Sequence, residues 1–206
     1  MEGFRMSSQA FLEAIRNRRS LYAITKEKAV PVDMVTSIVE EAVEHTPSAF
    51  NSQSARVVVL FDEQSDKLWD LTLETLRVVT GGGEGFGSTE ERIAGFKAGY
   101  GTVLFFEDEA VIRSLQEQYP SYQDNFPKWS NHSSGMLQLV VWTALEAEGL
   151  GATLQHYNPL IDEQVQKEYD VPATWKLIAQ MPFGKPAAPA GEKQFQPIEE
   201  RVKVFK

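Results

Sequence analysis

The chain has 206 residues, enough for one sizeable core and short for two, and its 42% hydrophobic content is that of a folded globular protein, not a disordered one. A formal charge of −9 and a pI near 4.9 repel nucleic-acid phosphates and anionic lipid, so nucleic acid is excluded as an expected partner and a bound anion needs a local basic cluster. With no cysteine, disulfides, thiolate nucleophiles, iron–sulfur clusters and Cys-based zinc sites are excluded as well.

Met1 to Ala10 lack the basic and apolar regions of a secretory signal. The longest apolar stretch, Met136 to Ala147, is interrupted by Gln138 and Thr143 and is too short to span a bilayer. The expectation is a cytoplasmic protein with no membrane partner, forming a single domain over 1–206.

Ser7 or Ser8 caps a first short helix through Phe11, Leu12 and Ile15, which ends in the basic run Arg16 to Arg19. Pro31 opens a second helix, with Val32, Val35, Ile38, Val39, Ala42 and Val43 at helical spacing up to His45. Val57 to Phe61 reads as a strand and Lys67 to Val79 as a helix. A glycine-rich loop over Gly81 to Gly87 follows, and Ser88 with Glu91 has the spacing of a capping box for a helix carrying Lys97. Thr102 to Phe106 is a second strand and Glu109 to Tyr119 a helix.

From Lys128 to Glu148 apolar residues cover most of the helix circumference, so this helix needs burial on more than one side, and a subunit interface supplies the second. Gly149 to Leu154 reads as a short strand, Asp162 to Tyr169 as a helix and Trp175 to Met181 as a strand. The Pro- and Gly-rich tail after Pro182, ending in an extended Arg201 to Phe205, suits an arm wrapped on a partner. There is no internal repeat and no domain linker.

Two segments carry candidate chemistry. In Arg16-Asn17-Arg18-Arg19-Ser20 the guanidinium forks and a hydroxyl can hold a phosphate dianion, although arginines there also complement a helix C-terminus. Pro47-Ser48-Ala49-Phe50-Asn51-Ser52-Gln53 offers short amides and hydroxyls to a polar ligand, and equally forms an Asx turn. Elsewhere His45, His132 and His156 lack metal-site spacing, so no metal is expected. The glycine loop fits neither phosphate-binding fingerprint, and there is no Gly-x-Ser-x-Gly elbow or spaced carboxylate pair.

Arg18-Arg19-Ser20 after an opening helix, then Pro47-Ser48-x-x-Asn51-x-Gln53 before the first strand, resemble the paired signature of the FMN-dependent nitroreductase family. The long helix ending in Gly149-Leu150-Gly151-Ala152 and the Phe183-Gly184-Lys185-Pro186 stretch extend the similarity over nearly the whole chain. The resemblance implies an α+β fold, a small mixed or antiparallel sheet surrounded by helices, and a homodimer with an exchanged C-terminal arm.

It further implies an NADH- or NADPH-dependent flavin oxidoreductase that reduces nitroaromatics, quinones or similar acceptors by ping-pong hydride transfer. The FMN carries the chemistry, so no catalytic side chain is assigned. By the same resemblance Arg18, Arg19 and Ser20 bind the FMN phosphate and ribityl end, with Lys193 adding a cation. Pro47, Ser48 and Asn51, with Gln53 of the same motif, approach that flavin from the other subunit.

Gln155, His156 and Tyr157 occupy the place of a Pro-x-Glu-Gly segment whose backbone N–H groups face the flavin, a departure that matches the small fatty-acid-repression-type branch. Tyr22 is a second departure, where many members have a basic residue. Lys97 is the candidate cation near the flavin pyrimidine edge; its alternative is a solvated helix lysine. The rival readings are a flavin-binding sensor or carrier without significant turnover, and a cofactor-free structural dimer.

Overall fold

A computed structural model describes residues 8–206. Along the chain these form α1 (Ser8–Asn17), β1 (Ile24–Thr25), α2 (Val32–His45), β2 (Ala55–Phe61), α3 (Asp62–Thr80), α4 (Gly87–Lys97) and β3 (Gly101–Asp108). They continue with α5 (Glu109–Gln118), α6 (Phe126–Ala147), β4 (Gly151–Ala152), α7 (Asp162–Glu168) and β5 (Trp175–Pro186). The fold is α+β: its strands form one sheet in the order β1-β5-β3-β2, with β4 also on β5, and every pairing of named strands is antiparallel.

All eight residues of β3 are buried, which is why its sequence lacks the polar alternation of a one-sided strand. Its side chains alternate between two cores. Val103 and Phe105 face α2 and α6, meeting Val35, Val39, Leu137, Val141 and Leu145. Leu104 and Phe106 face α3, α4 and α7, meeting Leu68, Trp69, Ile93, Phe96 and Val165. The one buried polar cluster between sheet and α3 is satisfied: Thr102 Oγ1 accepts from Trp69 Nε1 at 2.9 Å and lies 2.7 Å from Ser65 Oγ.

Three glycines let backbones cross closely at the sheet's end. A Cβ on Gly184 would meet the Thr25 carbonyl oxygen and come within 3.0 Å of the Tyr100 nitrogen, so β5 can pass between β1 and the start of β3 only as glycine there.

α6 has two apolar sides, as its composition predicts. Leu137, Val141 and Leu145 are buried, while Met136, Leu139 and Val140 remain 41–44% exposed on the other side. Phe11 and Leu12 of α1 are also exposed, as are Phe195 and Phe205 in the tail.

Several boundaries differ from the sequence reading. β5 does not stop at Met181 but runs through Pro182 to Pro186, because Phe183 and Gly184 pair with Gly101, Ala152 and Gly151. The Gly149 to Leu154 strand shrinks to Gly151–Ala152, since Gly149 at φ 82° closes the helix. β1 was not read at all; two residues carry no periodicity. The capping box does not form: Ser88 lies inside α4 and its hydroxyl donates to the Gly85 carbonyl instead. The tail beyond β5 carries a 3₁₀ turn, Ile198–Glu200, and Arg201 still belongs to it at φ −112° and ψ −20°, so the extended stretch expected over Arg201 to Phe205 does not begin at Arg201. The proposed Ser7 cap lies outside the described residues. Among the described residues no helix is long and apolar enough to cross a membrane.

Candidate functional site

The Arg18-Arg19-Ser20 turn is held against the C-terminal half of α6. The Arg19 backbone N–H donates to Glu146 Oε2 at 2.7 Å, and Trp142 Nε1, one helical turn earlier, donates to Glu146 Oε1 at 3.1 Å. The Arg18 guanidinium lies over the Trp142 ring, 4.2 Å from its centroid. Burial pushes the Glu146 carboxyl up from its ordinary range, opposed first by the Arg19 N–H and next by Trp142. The turn then joins the sheet: Ser20 bridges Ala152 in parallel and Leu21 N–H donates to the Ala152 carbonyl at 3.0 Å.

The tail closes the other side. Arg19 Nη2 donates to the Gly191 carbonyl at 2.6 Å, which brings Lys193 within two residues of the arginine cluster. An open groove of about 490 Å³ runs between Asn17, Arg19, Leu21 and Pro186 to Ala190. Among the described residues neither Arg18, Arg19 nor Lys193 forms an ion pair, while Arg56 and Lys97 do. Lys193 instead stands 5.2 Å from the Phe195 ring centroid.

The Pro47 to Gln53 loop sits elsewhere. Phe50, Asn51 and Gln53 all take left-handed backbone, with φ of 57°, 49° and 47°, a conformation costly for side-chain-bearing residues. The surroundings hold it there. Gln53 N–H donates to Ser48 Oγ at 3.0 Å, and Arg56 donates to the Gln53 carbonyl at 2.8 Å and to Asp108 Oδ2 at 3.0 Å. Just behind the loop, buried Ser54 donates to Glu107 Oε2 at 2.5 Å while Glu107 Oε1 has no partner, and burial pushes that carboxyl up to about 7.

Phe50 packs on Tyr119, Tyr122 and Phe126 and stacks on Trp129 near the start of α6. Trp129 and Trp142 are thirteen residues apart, about 20 Å of helix. Arg18 and Phe50 therefore contact opposite ends of α6 within one chain, and the structure does not gather the two candidate segments into one cradle.

Gln155, His156 and Tyr157 continue from the strand that meets Ser20. Gln155 exchanges two backbone hydrogen bonds with Gln180, at 2.7 and 2.9 Å. His156 is exposed, and Tyr157 packs edge-on against Trp69 and Phe96. Lys97 gives its ammonium to both oxygens of Asp70, at 2.6 and 2.7 Å. Trp142, Glu146 and Gln180 were missed by the sequence reading. Trp142 and Glu146 carried a faint i,i+4 signal, and Gln180 a plainer one, a lone amide in the apolar run Leu177 to Met181.

The structure is thus an antiparallel sheet between two helical layers, with an arginine turn packed at the end of a long helix whose second apolar side stays half-exposed. The nitroreductase-family profile matches residues 15–185, and the chain belongs to the nitroreductase family. Members generally use FMN with nicotinamide donors and are typically homodimers.

HBN1 of Saccharomyces cerevisiae is 35% identical over 197 residues, 95% of this chain and 96% of its own. The nitroreductase CinD from Lactococcus lactis, solved in complex with nicotinic acid, is 45% identical and superposes with a TM-score of 0.89 over 95% of this chain and all of that one. CinD in complex with 4-nitrophenol matches at 45% identity and the same coverage, with a TM-score of 0.86.

Proposed function

We propose that the chain is one FMN-binding domain of a homodimeric NAD(P)H oxidoreductase that reduces nitroaromatics, quinones or similar small acceptors. The observation that carries the reading is the turn at the end of α6, where Arg18, Arg19 and the nearby Lys193 form no ion pair among the described residues and stand with the Ser20 hydroxyl beside an open groove. In a chain of net charge −9, cations left unpaired at one turn suit a phosphate dianion, so the donor set fits the phosphate end of FMN.

The roughly 20 Å of helix between the two candidate segments supports a shared site. One protomer would supply Arg18, Arg19, Ser20, Lys193 and the Gln155 to Tyr157 segment, and its partner Pro47, Ser48, Asn51 and Gln53. The exposed apolar side of α6, with Phe11, Leu12 and the tail aromatics, is the surface such a dimer would cover. Lys97 is already engaged by Asp70, and this cradle does not require it.

When bound, FMN would supply the hydride chemistry between nicotinamide and acceptor. The chain's part is to neutralise the phosphate, to fix the ring's height through backbone donors and to keep one face open for flat substrates. That CinD has been solved with nicotinic acid and with 4-nitrophenol supports flat ring substrates for this chain too.

An absorbance spectrum of the purified protein, followed by anaerobic NADH or NADPH, tests the proposal. Yellow protein that bleaches and recovers with a quinone or nitroaromatic is the expected result. Yellow protein that stays oxidised would favour a flavin sensor or carrier, and protein that cannot be reconstituted with FMN would overturn the cofactor assignment. Arg18→Ala should weaken FMN binding and flatten its salt dependence.

A further inference from the structure

Gln180 is fully buried in the middle of β5, with Ala179 and Met181 as apolar neighbours. A buried amide is costly unless all its groups are paired, and every polar group of this one is spent on a single segment. Its backbone N–H and carbonyl pair with Gln155. Its side-chain Oε1 accepts from the Tyr157 N–H at 2.7 Å, and its Nε2 donates to Asn158 Oδ1 at 3.3 Å. Gln155 is braced again by its own side chain, which donates to Thr153 Oγ1 at 3.1 Å.

The clasp has a directional result. The N–H groups of Gln155 and Tyr157 both turn in toward Gln180, so the intervening N–H of His156 faces the other way. Of the three, it is the one with no protein partner among the described residues. His156 is four residues beyond Ala152, the bridge partner of Ser20, hence no more than about 14 Å of chain from the arginine turn.

We infer that Gln180 is a positioning residue: by holding the N–H groups on either side inward, it presents the His156 backbone N–H to a hydrogen-bond acceptor on the ring of the bound flavin. This rests on the FMN reading above. The contact so made is a main-chain one, and its direction is set at position 180.

Residue-resolved amide hydrogen exchange with and without FMN tests it. In the wild type the Gln155 and Tyr157 amides exchange slowly in both states, and FMN slows the His156 amide by about tenfold or more. In Gln180→Met, which keeps the length and loses the amide, the Tyr157 amide exchanges about tenfold faster and the FMN protection of His156 collapses. FMN Kd rises roughly 3- to 10-fold, the loss of one hydrogen bond, while Ser20 still responds to FMN. Asn158→Ala, which removes only the second amide partner, leaves Tyr157 slow and the FMN protection of His156 intact.

An FMN response at Ser20 with none at His156 in the wild type would overturn this inference alone, whether or not Gln180→Met folds. No response at either residue would overturn the cofactor reading and this inference with it.

Discussion

Glu107 offers a test of the physics behind the Pro47 to Gln53 loop. Its side chain is 2% exposed, it accepts from Ser54 at 2.5 Å, and its second oxygen has no partner. Burial pushes the carboxyl from 4.5 up to about 7, against the pull of the Ser54 hydroxyl and of Arg56. The folded state therefore holds a proton that the unfolded chain releases near pH 4.5. Stability associated with this group is fully present below pH 4.5 and is lost as pH rises to about 7, then stays flat. At roughly 1.4 kcal/mol per pH unit, the difference amounts to about 3 kcal/mol.

Glu107→Gln keeps the shape and an acceptor for Ser54 but cannot ionise. Relative to the wild type, the variant should gain about 3 kcal/mol between pH 4.5 and pH 8. Comparing the two pH values cancels the amide's own cost, which is the same at both. Urea unfolding followed by tryptophan fluorescence, at one protein concentration and the same flavin loading, reads this directly. If the wild type and the variant have the same pH dependence within about 0.5 kcal/mol, the carboxyl titrates normally and the argument from burial is wrong.

Trp142→Leu removes the shelf under the Arg18 guanidinium and should weaken FMN binding roughly 3- to 10-fold in a flavin-fluorescence titration, the worth of one cation–π contact; unchanged affinity would mean Arg18 needs no shelf. Lys97→Ala should leave FMN affinity within about twofold and cost under about 1 kcal/mol of stability, because it breaks only an exposed ion pair with Asp70. A tenfold loss would instead put that ammonium on the flavin. Gly184→Ala should lower Tm by roughly 2–10 °C, since the new methyl has only backbone to displace; an unchanged melting curve would show that β1 can move aside.

How much of this could be read from residues depends on whether the signal is local. α2, α3 and α6 declared themselves through helical spacing, and β3 through a run of buried apolar residues, because each element records its own burial in its own sequence. β1 did not, and β4 showed only as the overlong Gly149 to Leu154 strand: each is two residues long and exists because β5 passes beside it, so the cause lies some 160 and 30 residues away in the chain. Site residues divide the same way. Arg18, Arg19 and Ser20 are visible as a cluster, but Trp142 and Glu146, which hold them, are visible only once α6 is laid against the turn.

The same reasoning explains why the position 155 to 157 segment was the hardest to read. Its side chains differ from the family's usual Pro-x-Glu-Gly, yet what the fold uses there is main chain, and main-chain direction is set by a residue on another strand. A lone amide among Leu177, Ile178, Ala179 and Met181 is the trace that such a constraint leaves in sequence. A buried amide is tolerated in an apolar strand where its hydrogen bonds are met, and those of Gln180 are met by Gln155, Tyr157 and Asn158, which sets the direction of the N–H groups along that segment.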